Sequence, residues 1–93
     1  MKTKGGYYSN LPVPPGEYLE EVLGDLGMSK DELARRMNQS ARGLSAIFKG
    51  EKAITPDTAL QLDKLVGVPA HIWTGLEAEY RLTLAREQQK KVF

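Results

Sequence analysis

The 93-residue sequence has no cysteine, a single histidine and no long apolar run. Without cysteine, disulfides and thiolate metal sites are excluded, and His71 alone supplies too few ligands for a zinc site of the usual kind. No apolar stretch approaches the roughly 20 residues that span a bilayer, and the basic N-terminus has no apolar segment behind it. We therefore expect one domain in a reducing cytoplasm, with no metal, no cofactor, no membrane partner and no secretory signal.

Patterns that carry catalytic chemistry are also missing from the sequence. There is no glycine-rich phosphate loop. Serine, histidine and aspartate occur, but nothing in the sequence places them together. His71 is expected on the surface, in the first turn of a helix. We therefore expect no catalytic residues and no enzymatic activity.

Charge is unevenly distributed along the chain, although the net charge is only +1. Residues 30–52 carry six basic and three acidic side chains, whereas residues 17–29 carry four acidic side chains and no basic one. A surface that binds phosphates needs such a local excess more than a high overall charge. Charge alone still favours a simpler alternative, which is a solvated surface of mixed charge.

Proline and glycine are frequent at the start of the chain, and they predict a flexible N-terminal arm over residues 1–14. A helix is excluded there by the closely spaced Pro12, Pro14 and Pro15. Four apolar side chains are available to pin the arm to the domain: Tyr7, Tyr8, Leu11 and Val13. Helical spacing begins at Glu17 and stops at Gly27. The predicted buried stripe of this first helix is Leu19, Val22, Leu23 and Leu26.

Two short helices follow, each preceded by a capping residue. Ser29 and Glu32 form a predicted capping box, in which the Ser29 hydroxyl accepts from the Glu32 amide and the Glu32 carboxylate reaches back. The buried face of this second helix is predicted to be Leu33, Ala34 and Met37. Ser40 is the predicted cap of the third helix, which ends at Gly50. Its predicted buried face is Leu44, Ile47 and Phe48.

The second half of the sequence predicts two more helices. Thr55, Pro56 and Asp57 supply a cap hydroxyl, a proline at the first helical position and an acid in the first turn. The predicted buried stripe of this fourth helix, which ends at Gly67, is Ala59, Leu62, Leu65 and Val66. A fifth helix starts near Pro69 and continues through the rest of the chain. Its predicted core face is Ile72, Trp73, Leu76, Tyr80 and Leu84.

Because no segment alternates like a strand, the predicted fold is all-α with five helices. Its second and third helices are joined by only a few residues, which predicts a helix-turn-helix at about residues 29–50. Ala34 is small enough for these two helices to cross closely, and Asn38 tolerates the dihedral angles of the turn. The predicted organisation is a bundle over residues 15–68, followed by a longer C-terminal helix over residues 69–93.

The second helix of a helix-turn-helix buries one face and presents the other to the major groove of DNA. Arg42 lies away from the buried face, where it can donate two hydrogen bonds to a guanine. Ser45 can bond to several bases, and Ala41 can touch a thymine methyl. Gln39, just before the helix, can reach an adenine or a phosphate. Phosphate contacts are predicted for the start of the second helix and for three lysines: Ser29, Lys30, Lys49 and Lys52.

Each of these side chains also has a simpler interpretation as a solvated surface group. A glycine at residue 43 weakens its helix by about 1 kcal/mol relative to alanine. Close approach of the helix to DNA and tight packing within the protein explain this glycine equally well. The joint pattern nevertheless favours DNA binding over a bundle that binds none. It combines caps on both helices with four residues at the expected spacings: Ala34, Asn38, Leu44 and Ile47.

Four segments of the sequence resemble the HigA-type antitoxins, a branch of the XRE and lambda-repressor-like helix-turn-helix proteins. They are residues 15–23 (PGEYLEEVL), 28–34 (MSKDELA), 54–62 (ITPDTALQL) and 73–80 (WTGLEAEY). The resemblance covers about Pro15 to Arg86. It departs from the family at Asn38, where glycine is usual, at Pro69, where a serine or threonine cap is usual, and in a longer N-terminal arm.

This resemblance implies a five-helix fold and a homodimer on a palindromic operator in double-stranded DNA, in the cytoplasm of a bacterium. It implies repression of the protein's own toxin–antitoxin operon and neutralisation of a HigB-like toxin that cleaves mRNA on the ribosome. By position, the family's recognition-helix contacts correspond to Ser40, Ala41, Arg42, Ser45 and Lys49. Two alternatives stay open: the DNA-binding fragment of a longer regulator fused to an ImmA/IrrE-type peptidase domain, or a protein-interaction module that binds no DNA.

The fifth helix carries a second apolar stripe, nearly opposite its predicted core face. This stripe consists of Ala78, Leu82 and Ala85. We expect it to form a symmetric dimer contact, because a helix with two apolar stripes usually packs against two partners. Isolated exposed apolar side chains are an equally ordinary explanation, and a partner toxin can use the same surface.

Overall fold

The computed structural model describes residues 12–92, with side chains as far as Lys90. Within that range the chain forms five helices and no strand, so the predicted all-α fold is confirmed. The helices are α1 (Pro15–Leu26), α2 (Lys30–Arg36), α3 (Ala41–Phe48), α4 (Pro56–Val66) and α5 (Ala70–Val92). Across residues 12–92, no helix combines the length and the apolar character needed to cross a membrane. The expectations for Tyr7, Tyr8 and Leu11 lie outside the described residues.

Local side-chain caps start three of the helices, as the sequence predicts. The hydroxyl of Ser29 accepts from the amide of Glu32 at 3.0 Å, and the hydroxyl of Ser40 accepts from the amide of Gly43 at 3.0 Å. Thr55 caps α4 in the same way. The capping box at Ser29 is only half formed among the described residues, because the Glu32 carboxylate bonds to Arg36 at 2.6 Å instead of reaching back.

The starts of α1 and α5 differ from the simplest expectation. Helix α1 begins at Pro15 rather than at Glu17, so the prediction that Pro15 excludes a helix was wrong. A proline is tolerated at the first helical position because its missing N–H would have no partner there. Helix α5 begins at Ala70, whose amide donates to the carboxylate of Asp63 at 3.0 Å. A side chain of α4 therefore satisfies one of the free amides at the start of α5, where Pro69 offers no side-chain cap.

All five helices contribute to the core, and Trp73 of α5 lies in it with no exposed surface. The indole N–H of Trp73 donates to the carbonyl of Val68 at 3.1 Å, and its ring packs against Tyr18 with the centroids 5.4 Å apart. Most predicted core side chains are buried. The fully buried large ones are Trp73, Leu19, Leu33, Leu44, Ile47 and Leu62.

Two residues predicted to be buried are exposed instead. Leu26 is 52% exposed because it ends α1, in the last turn before Gly27 and beyond the packed part of the helix. Ile72 is 38% exposed, because the neighbouring Trp73 takes the core-facing direction in the first turns of α5. Consecutive helical residues point about 100° apart, so with Trp73 directed into the core Ile72 lies towards the edge of the packed face.

Helices α1 and α3 approach each other so closely at Gly16 that their backbones are in contact. A Cβ atom at Gly16 would lie 2.4 Å from the Cα of Phe48 and 2.6 Å from the carbonyl oxygen of Ile47. No side chain fits there, because the atoms in the way belong to the backbone and cannot rotate aside. The position of α3 relative to the bundle therefore depends on the absence of a side chain at residue 16.

Replacing Gly16 with alanine should destabilise the fold. The added methyl group forces α1 away from the last turn of α3, which we expect to lower the free energy of unfolding by about 1–3 kcal/mol. Each kcal/mol corresponds to a decrease of roughly 4–8 °C in the Tm of a domain of this size. Thermal unfolding followed by circular dichroism measures the change.

Gly24→Ala is the matched control, because Gly24 lies in the same helix and a Cβ there would meet nothing within 4 Å. Alanine at this position should raise the free energy of unfolding by about 0.5–1 kcal/mol, since it lowers the entropy cost of forming the helix. Equal Tm values for the two variants would show that the contact at Gly16 is not tight.

Candidate nucleic-acid interface

Helices α2 and α3 form the predicted helix-turn-helix. Asn38 adopts the left-handed conformation in the turn, with φ of 56°. The amide of Gln39 bonds back to the carbonyl of Ala34 at 2.9 Å, which closes the turn against α2. Ala34 is 5% exposed and Met37 is 2% exposed, so both face the core. The turn therefore holds α3 at a fixed angle to α2.

Helix α3 is divided into a buried face and a polar face. Leu44, Ile47 and Phe48 form the buried face. Ser40, Ala41 and Arg42 are exposed, whereas Gln39 and Ser45 are half-buried. Among the side chains that the structure describes, no carboxylate lies within ion-pair distance of Arg42. The guanidinium is therefore available for a ligand, and its predicted contact with a base stays a prediction.

Two predicted contact residues already use their side chains within the chain. The hydroxyl oxygens of Ser29 and Ser40 each accept a hydrogen bond from the first turn of the helix that they cap. A hydroxyl also carries a proton that it can donate. Both side chains therefore keep one donor for a phosphate or a base, while capping limits the directions in which they can point.

The lysines predicted to contact phosphates differ in their surroundings. Lys49 and Lys52 are exposed near the end of α3. The Lys30 ammonium instead lies 2.6 Å from the carboxylate of Glu20 and 4.6 Å from the centre of the Phe48 ring. An exposed ion pair contributes only about 0–1 kcal/mol. Separating Lys30 from Glu20 therefore costs little free energy.

Acidic side chains of α1 border the polar face of α3 on one side. Glu17, Glu20 and Glu21 line a groove together with Ser45 and Lys49. Three of the four acids of residues 17–29 therefore lie beside the basic segment in space as well as in sequence. Lys30 lines the same groove, so the three carboxylates lie among basic side chains and reduce the local positive charge there.

Gly43 faces the side chains that precede α3. A Cβ atom there would lie 3.3 Å from the Ser40 hydroxyl oxygen and 3.4 Å from the Gln39 amide oxygen. A methyl group at residue 43 would therefore require these two side chains to shift by a few tenths of an ångström. The amide oxygen of Gln39 is itself buried and has no hydrogen-bond partner among the described residues. An unpaired buried acceptor is costly, which favours a rotation of Gln39 towards a donor.

A buried carboxylate next to α3 was not predicted from the sequence. The Glu77 side chain of α5 accepts from the amide of Ile54 at 3.1 Å and from the guanidinium of Arg81. Arg81 also donates to the carbonyl oxygen of Gly50 at 3.3 Å. The sequence does contain one indication of this buried carboxylate, because an acidic residue stands four positions after Trp73, on the predicted core face of α5. An acid at such a position needs a buried partner.

The second stripe of α5 faces solvent in the isolated chain. Ala78, Leu82 and Ala85 are all exposed, and Leu82 is 43% exposed. These residues are accessible to another protein. Their predicted role in a dimer stays a prediction.

Related proteins are known from both sequence and structure. A helix-turn-helix family model matches residues 19–73. Virulence-associated protein I of Dichelobacter nodosus is 32% identical over 93 residues, which are 99% of this chain and 86% of that protein. A HigA-family addiction module antidote protein from Coxiella burnetii has a TM-score of 0.78 and 37% identity, covering 86% of this chain and 88% of its own.

A second similar structure is an antitoxin solved with DNA. The Pseudomonas aeruginosa antitoxin HigA, solved with the higBA promoter, has a TM-score of 0.78 and 32% identity and covers 87% of this chain and 89% of its own. The resemblance drawn from the sequence is therefore confirmed. The chain belongs to the helix-turn-helix family, in its XRE-type branch, and its structural neighbours are HigA-family antitoxins.

Proposed function

We propose that this chain is a sequence-specific DNA-binding repressor that serves as the HigA-like antitoxin of a toxin–antitoxin operon. The observation that carries the proposal is the exposed polar face of α3, where the Arg42 guanidinium has no carboxylate partner among the described side chains. It is supported by the neighbouring HigA solved with its promoter.

In this proposal α3 lies in the major groove and reads bases through Arg42, with Gln39, Ser40, Ala41 and Ser45 beside it. The phosphates are contacted by residues at both ends of the helix-turn-helix: Ser29, Lys30, Lys49 and Lys52. Two such surfaces on one dimer match the two halves of a palindrome. Binding to the promoter of its own operon then blocks transcription.

Arg42→Ala should relax base preference, whereas Lys52→Ala should weaken binding to all sequences alike. Loss of a bidentate hydrogen bond to guanine costs about 1–3 kcal/mol at one position of the site. Removal of one lysine–phosphate pair instead makes the slope of log K against log salt shallower by about 0.9. The measurement is a gel-shift titration at several salt concentrations, on the duplex that wild-type protein selects from a randomised pool.

Both variants change exposed basic residues, so each controls for the loss of charge in the other. A wild-type protein that enriches no duplex would contradict the DNA-binding proposal and favour the interaction module. If Arg42→Ala lowers the affinity for matched and mismatched duplexes equally, Arg42 does not read a base.

The second stripe of α5, defined by Ala78, Leu82 and Ala85, is the proposed dimer contact. Its side chains are spaced by four and three residues, so they lie on one side of the helix. Leu82 is the largest of them and is 43% exposed, which leaves apolar surface for a symmetric contact to bury. The partner toxin is the alternative occupant of this surface.

Leu82→Glu should convert a wild-type dimer into a monomer, because a carboxylate from each chain would be buried in the contact. Multi-angle light scattering at micromolar concentration measures the mass of each species. Leu60→Glu is the matched control, since Leu60 is also exposed but lies on α4. A wild-type protein that is monomeric under these conditions would rule out the dimer contact.

A further inference from the structure

Three side chains on one face of α5 hold the loop between α3 and α4. Tyr80 and Arg81 lie three and four residues after Glu77, so both flank it on the same face of the helix. The Glu77 side chain is only 11% exposed and accepts from the Arg81 guanidinium. It also accepts from the amide of Ile54 at 3.1 Å, and Arg81 donates to the carbonyl of Gly50 at 3.3 Å. Both ends of the loop are therefore bonded to α5.

Tyr80 restrains the loop by direct packing. The Arg81 guanidinium carbon lies 4.9 Å from the centre of the Tyr80 ring. The Tyr80 hydroxyl lies 2.8 Å from the point where a Cβ of Gly50 would be, and Gly50 has φ of 80°. A side chain at Gly50 would thus be disfavoured both by its conformation and by Tyr80. The loop backbone has little space in which to shift.

This loop carries Lys52 and directly follows Lys49. We infer that the Glu77–Arg81 pair positions the loop for DNA binding, so that Lys52 meets a phosphate while α3 lies in the groove. The inference rests on the proposed function. A lysine loses less conformational freedom on binding when its backbone is already fixed. Glu77 and Arg81 are positioning residues here, since they act through the loop.

Glu77→Gln separates positioning from electrostatics, because the two effects have opposite signs. The glutamine oxygen can still accept from the Ile54 amide, but its NH2 group faces the Arg81 guanidinium and cannot replace the ion pair. Removing a negative charge should strengthen DNA binding through long-range electrostatics. Loosening the loop should weaken it. The matched control is Glu79→Gln, which removes the same charge from an exposed position on the same helix.

The experiment is a gel-shift titration over a range of salt concentrations, on the duplex selected by wild-type protein. We expect Glu77→Gln to weaken binding by roughly three- to tenfold, as for couplings between neighbouring residues. Its salt slope should become shallower by about 0.9 for each phosphate that the variant no longer neutralises. Glu79→Gln should bind as tightly as wild type or more tightly. Glu77→Gln that binds as tightly as Glu79→Gln overturns the inference.

The double variant of Glu77→Gln and Lys52→Ala tests whether the Glu77–Arg81 pair acts on DNA binding through the loop. If it does, Glu77→Gln no longer weakens binding once Lys52 is gone and changes affinity only as Glu79→Gln does, because two residues that serve one contact are not additive. Fully additive decreases in affinity overturn the inference. A wild-type protein that selects no duplex removes the proposed function and this inference together, whereas wild-type binding with an unaffected Glu77→Gln removes the inference alone.

Hydrogen exchange of the Ile54 amide, measured by NMR without DNA, reports the state of the loop directly. We expect faster exchange in Glu77→Gln and in Arg81→Gln, with unchanged exchange in Glu79→Gln. Arg81 is 40% exposed, so Arg81→Gln breaks the same pair from the solvent side if Glu77→Gln fails to fold. Unchanged exchange at Ile54 in a folded variant overturns the inference.

Discussion

The contact between the start of α1 and the end of α3 sets the direction in which the polar face of α3 points. At Gly16 the two backbones meet with no room for a Cβ atom. Leu44 and Ile47 are then buried against the rest of the core, so α3 cannot rotate about its own axis. The exposure of Arg42 on the opposite side follows from this packing. The candidate interface is therefore a product of the core and not of the surface alone.

Features that depend on neighbours in sequence could be predicted from the sequence. The caps at Ser29, Ser40 and Thr55 satisfy amides three residues ahead, and the turn at Asn38 needs only a residue that tolerates a positive φ. The division of α3 into two faces follows from helical periodicity alone. Five helices, their order and the outward side of the candidate site were therefore accessible from sequence.

Features that depend on residues distant in sequence were not predicted. The Glu77 bond to Ile54 spans 23 residues, and the Arg81 bond to Gly50 spans 31. Periodicity identifies the apolar stripe of a helix, but it does not show how far along that stripe the neighbouring helices extend. Leu26 was for this reason wrongly predicted to lie in the core. The same limit applies to the site, where exposure of Lys30 was predictable but its pairing with Glu20 was not.

Trp73 is the only tryptophan in the chain, and its position makes it a built-in optical probe. Its ring contacts Tyr18 of α1, and its indole N–H bonds to Val68 in the connection between α4 and α5. Separation of these segments would admit water to the indole and change its fluorescence. A nucleic acid on the polar face of α3 would leave the indole enclosed. The fluorescence of Trp73 should therefore change when the helical bundle unfolds and change little when a nucleic acid binds to α3.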